Sequence, residues 1–186
     1  MTDSELSRFI ATDALVCIRR EAIDQRSMQA FVLAFSESHA LTRYVYDFHV
    51  DGHLLLRRRD ITAVECRRTD QFQRELLVEQ DALDAENNRA YPKTSFLAAL
   101  DSLEQDELVI VECEEPDHEV FAIGRYAGRD EHGLVRLHEF SGAGSWNSDL
   151  SSFDPDDITC CSFGGNYIRS YQRYFDRVGF PKLPRR

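Results

Sequence analysis

The sequence predicts a mainly β protein with flanking helices, an α+β chain made of two tandem small barrels, each ordered helix, five strands, helix. Three observations predict this. Each half carries five short strand-like runs separated by turn signals. Amphipathic helical segments open and close each set. Short residue matches recur between the halves at a nearly constant spacing.

In the first half, Thr2 and Glu5 have the spacing of a capping box, and Leu6, Phe9 and Ile10 share one helical face. Runs rich in β-branched and aromatic residues follow at Leu15 to Ile23, Met28 to Phe35, Leu41 to Val50, His53 to Arg59 and Ile61 to Arg67. Asp51-Gly52 reads as a hairpin turn, because glycine tolerates positive φ. Phe72, Leu76 and Leu77 mark a closing helix. The first repeat is thus residues 1–80.

Residues 81–93 are polar and aperiodic at their start and read as a linker. The order then restarts over residues 94–186. Thr94 or Ser95 caps a helix with Phe96, Leu100 and Leu103 on its face. Strands are expected at Leu108 to Cys113, Val120 to Tyr126, Leu134 to Phe140, Asp149 to Phe153 and Ile158 to Phe163. A last helix carries Tyr167, Tyr171, Tyr174, Phe175 and Val178 at helical spacing, expected to face the core.

The matches between halves are Leu15 to Ile18 with Leu108 to Val111, Tyr44 to Gly52 with Leu134 to Gly142, and Asp60-Ile61-Thr62 with Asp157-Ile158-Thr159. Five short strands expose edges unless they close, so barrels of SH3-like or Sm-like size are expected. The segment from Phe121 to Phe175 also resembles uncharacterised bacterial proteins with such units. The likeness rests on Ile123-Gly124, Gly144, Trp146, Asp157-Ile158-Thr159, Phe163-Gly164 and Tyr167. It implies a barrel and no particular biochemistry.

The net charge is −11, from 33 acids and 22 bases. Such a balance disfavours nucleic acid and anionic membranes and favours basic partners. Met1 to Asp13 lacks the basic and apolar regions of a leader, and no apolar run is long enough to span a bilayer. Five cysteines without a CxxC pair suit a reducing compartment, so a cytoplasmic protein is expected.

No motif for a cofactor, metal or catalytic nucleophile stands out, and a non-enzymatic role with no cofactor is expected. His49 and His53 have HxxxH spacing but flank an expected turn instead of lying on a helix. Between Lys93 and Arg125 there are nine acids and no base. Clustered carboxylates accelerate encounter with a cationic protein. The candidate partner-binding residues are therefore Glu112, Glu114, Glu115, Asp117, Glu119 and Asp149, with Trp146 as an aromatic anchor in a glycine- and serine-rich turn. A bacterial immunity-type inhibitor of a basic toxin is one concrete form of this reading. The alternatives are an Sm-like RNA-associated protein using Arg57, Arg58 and Arg59, and a hydrolase with a site between the barrels.

Overall fold

The computed structural model describes residues 2–80, 83, 96–103, 106–115 and 118–184. The expected linker, apart from Leu83, and the expected caps Thr94 and Ser95 lie outside these residues.

The first half runs α1 (Asp3–Ala11), β1 (Leu15–Arg20), β2 (Asp24–Phe35), β3 (His39–Tyr46), β4 (His49–Arg57), a 3-10 turn at Arg58–Asp60, β5 (Ala63–Glu65) and α2 (Arg68–Glu79). The second runs α3 (Phe96–Asp101), β6 (Leu108–Glu115), β7 (His118–Arg129), β8 (Val135–Glu139), β9 (Ser151–Phe153), β10 (Cys160–Phe163) and α4 (Asn166–Val178). The class expected from the sequence is the class observed, and the order of elements recurs in each half. The α1 capping box is formed: the Glu5 N–H donates to the Thr2 hydroxyl, and the Glu5 carboxylate accepts from the Thr2 N–H.

All ten strands join in one open antiparallel sheet, in the order β5-β1-β2-β3-β4-β10-β6-β7-β8-β9. The pairing does not close either half on itself. Strand β4 takes its second neighbour from the other half instead of from its own β5, so the exposed edge that suggested closure is covered by β10. The joint pairs Cys160 with Leu56, Cys161 with Leu55, Ser162 with Leu54 and Phe163 with His53.

This joint explains two apolar runs that do not alternate. A strand buried on both faces reads as continuous hydrophobicity. Along β4, Leu54 and Leu56 enter a first core with Val16, Ile18, Val32 and Ile61. Leu55 points the other way, into a second core with Val109, Val111, Val135, Leu137 and Ile158. Along β10, Cys160 joins the first core, while Cys161 and Phe163 join the second. Each core is therefore completed by a side chain from the opposite half. Each half also has a cluster on the other side of its sheet, under its last helix. In the first it is Leu15, Phe31, Val45, Val50 and Leu77. In the second it is Leu108, Ile110, Ile123, Phe140, Ile168 and Phe175.

Two local expectations change. The turn between β3 and β4 is Asp47-Phe48, both at positive φ, and not Asp51-Gly52. Gly52, at φ 78°, lies within β4 where the β3–β4 register shifts. A Cβ there would collide with the backbone of Gly165 and Phe163, so glycine is required by the approach of the joint. The third strands also align differently. The ladders set Thr42 against Leu137 and Arg43 against His138, an offset of 95 instead of the 90 suggested by matching Tyr44 with Leu134. With the ladder alignment, Ala40 matches Val135 and the inward-facing sets agree.

Candidate interaction surface at the joint

At one end of the joint, the acidic stretch of β6 meets the arginines of the first half. Strand pairing sets Glu114 directly opposite Glu119, and Glu112 opposite Phe121. Like charges across a ladder repel, so Glu114 needs a cation. Arg20, buried at the end of β1, supplies it in a two-point pair: Nη1 to Oε2 at 2.6 Å and Nη2 to Oε1 at 2.9 Å. The Thr159 hydroxyl donates to the same carboxylate at 2.6 Å. Burial pushes the Glu112 carboxyl up, and the charge of Glu114 adds to the rise.

Arg57 is the centre of a second group. Its Nε and Nη2 donate to Asp60 at 2.7 and 3.0 Å. Its Nη2 reaches Glu115 at 2.7 Å, and Nη1 reaches the Asp156 carbonyl at 2.8 Å. Arg59 donates to that carbonyl at 3.1 Å and lies 3.7 Å from Glu115. The turn at residues 154–157 is thereby drawn to the same end as the β6–β7 hairpin. Asp60, Glu115, Asp156 and Asp157 lie around Arg57 and Arg59, while Glu112 and Glu114 lie around Arg20 on the other face of the sheet, so each group holds two carboxylates for every arginine.

The two charge clusters read from the sequence thus meet each other. Glu114 and Glu115 are tied to arginines of the first half, Glu112 is half-buried, and Glu119 is exposed. Asp117 lies outside the described residues. Asp149 is exposed, on the approach to β9, and accepts from the Ser148 hydroxyl. Arg58 pairs with Asp3, donates to the Ser36 carbonyl at 2.9 Å and lies over the Phe35 ring. Of the three consecutive arginines, Arg57 is buried and Arg59 is 63 % exposed.

Trp146 turns back onto its own half. Its ring packs at a tilt against Phe175 at 4.7 Å, His138 at 4.7 Å and Phe140 at 5.0 Å, and the Arg125 guanidinium lies 5.8 Å from its ring. The last helix buries Ile168 and Phe175 and leaves Tyr167, Tyr174 and Val178 exposed. Of the five positions expected to face the core, Phe175 and the partly buried Tyr171 do so, and Tyr167, Tyr174 and Val178 look outward.

Burial pushes the thiols of Cys160 and Cys161 well up, which suppresses the thiolate. His53 is buried against Phe163, whereas His49 is exposed and bonds the Asp47 carbonyl, so the HxxxH pair does not converge. Among the described residues, no three His, Cys, Asp or Glu side chains are placed to hold a metal ion. Among them also, no helix is long and apolar enough to cross a membrane. Sequence reasoning missed Arg20 and the approach of residues 154–157 to β6. Neither carries a local signal, because both depend on the β4–β10 pairing.

The chain matches no protein-family model, no curated protein and no solved structure.

Proposed function

We propose that the chain is a non-enzymatic protein-binding module that presents the acidic end of its sheet to a basic protein. One observation carries this reading: two acidic stretches far apart in sequence converge at one end of the joint with more carboxylates than arginines to neutralise them. A surplus of one sign steers an oppositely charged partner. The outward carboxylates Glu119, Asp154 and Asp157 supply the free side of this surface, and the exposed ring of Phe121 lies two residues along β7 from Glu119. An inhibitor of a cationic toxin is the concrete form. RNA association through Arg57 to Arg59 has less support, since Arg57 is buried and shared between Asp60 and Glu115.

The same reading takes each half as a small barrel unit of the SH3-like or Sm-like type. The repeated strand order supports it, as does the 3-10 turn before β5.

The test is affinity capture with the tagged chain at low salt, against a variant carrying Glu119→Lys, Asp154→Lys and Asp157→Lys. The native chain retains cationic proteins and the variant loses them. An identical captured set from both would sink the proposal.

A further inference from the structure

The β4–β10 joint is a head-to-tail contact between two equivalent units. Within each half the strand order is the same: β5-β1-β2-β3-β4 and then β10-β6-β7-β8-β9. In this arrangement β9 holds in the second half the place that β4 holds in the first. Likewise β5 holds the place of β10. The fold uses one pairing of this kind internally and leaves the other two strands as the outer edges of the sheet. Among the described residues, no strand covers either edge.

We propose that a second copy of this chain covers them, with β9 of one chain pairing antiparallel to β5 of the next in the register of the internal joint. The register follows from the match of Asp60-Ile61-Thr62 with Asp157-Ile158-Thr159. Ala63 then stands for Cys160, and Phe153 stands for Leu56. Between chains, Phe153 faces Ala63, Ser152 faces Val64 and Ser151 faces Glu65, as Leu56, Leu55 and Leu54 face Cys160, Cys161 and Ser162 inside the chain.

Charge and helix position agree with this register. Continuing the ladder brings Asp149 opposite Arg67 and Ser148 opposite Arg68, and all four residues are exposed. Acidic residues flank β9 and arginines follow β5; Arg67 also pairs with Asp70 of its own helix, so Arg68 is the main source of complementarity across chains. Inside the chain, the Asp51 carboxylate accepts from the Asn166 N–H at the start of α4. The matching position between chains is Ser148, which arrives at the start of α2 beside Asp149. A carboxylate there also suits the helix dipole.

The contact between chains is weaker than the internal one. Each edge strand has three residues, and Ser152 replaces the leucine that enters the neighbouring core. Association is therefore reversible and grows with concentration. It is also heterologous, because each added chain brings one new free edge of each kind. The species extend beyond a dimer, or close into a ring.

Sedimentation of the full chain over a wide concentration range tests this. The expected result is a mass that rises with concentration, and sedimentation as a monomer for Asp149→Arg and for Arg68→Glu, whose substitutions sit on exposed positions. A chain carrying Val64→Cys and Ser152→Cys, in a Cys66→Ser background, is expected to give an intermolecular disulfide ladder on mild oxidation. A native chain that stays monomeric throughout would overturn the proposal. So would charge variants that associate as the native chain does, or a cysteine pair that gives no intermolecular product. None of these positions belongs to the triple reversal used to test partner capture, so the two readings fail separately.

Discussion

The two halves share an order of strands but solve the same packing problem with different side chains. Under α2, the first half stacks Arg43 from β3 over Phe31 from β2, with 4.6 Å from guanidinium to ring. At the matching ladder position of the second half, the arginine comes from the opposite strand. Arg125 of β7 faces His138 of β8 and lies near Trp146 and Phe180. Both solutions place a guanidinium against an aromatic ring at the sheet surface, where the cation and its stem are shielded from water. The second half surrounds its arginine with a larger aromatic set, Phe140, Trp146, Phe175 and Phe180. What the two halves share is the ladder and its inward face, and what differs is the layer beneath the closing helix.

The sharpest test of that difference removes the central side chain of each closing helix. Phe175→Ala is expected to cost about 4 kcal/mol, because it opens a cavity in an aromatic cluster, against about 3 kcal/mol for Leu77→Ala. Chemical denaturation of both variants measures the gap. Equal losses would mean that the two layers are equivalent in energy despite their chemistry.

Next comes the seam that holds the halves together. Glu114→Gln leaves Arg20 buried with a neutral partner, and a loss of about 3 kcal/mol is expected. Adding Arg20→Met should recover part of that loss, since a buried cation no longer lacks its counter-charge. A double-mutant cycle reports the coupling, and additivity of the two substitutions would show that the pair contributes nothing of its own.

A smaller effect distinguishes the halves by pH. His39 of β3 is stacked on Phe96 of α3 at 4.4 Å, so it too bridges the two halves. Burial, with the Arg57 charge beside it, pushes its imidazole down to about 4. The unfolded chain therefore binds the proton first, near pH 6.5, and stability falls as pH drops from there toward 4. The loss is on the order of 2 kcal/mol. His39→Gln should flatten that part of the stability profile, and an unchanged profile would remove His39 as the cause. The smallest effect belongs to Glu119→Lys, which should leave stability within about 0.5 kcal/mol of native. It should still slow association with a cationic partner at low salt.

Much of this architecture is legible in the residues. The strand-forming runs, the α1 capping box and the order of elements follow from local periodicity and caps. The leucine run at residues 54–56 and the adjacent cysteines at 160–161 are visible as apolar, but their reason is not. Each belongs to a strand with a core on both faces, and only the pairing of β4 with β10 creates that situation. The same pairing was beyond sequence reasoning for the site. Arg20 and Glu114 carry no mutual signal, and residues 154–157 are drawn to the acidic hairpin by Arg57 and Arg59. On α4, Tyr171 packs inward as its spacing suggests, but Tyr167 and Tyr174 do not, because helical spacing reports a shared face without saying how far round the helix the burial extends. Ile168 and Phe175 define the buried side, and Tyr167 and Tyr174 lie off it.

The exchange of side chains across β4 and β10 also has a kinetic consequence. Leu56 and Cys160 are more than a hundred residues apart. A chain emerging from the ribosome displays the outer edge and second face of β4 long before residues 160–163 exist to cover them. Pairing across so large a loop is slow to nucleate and tends to come late in folding. The first half therefore waits with Leu55 and an open strand exposed, the state most prone to mispair with a neighbouring nascent chain. Full-length refolding should show a fast phase for local hairpins and a slower one that reports burial of Leu55, and a chain truncated after Gln80 should aggregate where the whole chain does not.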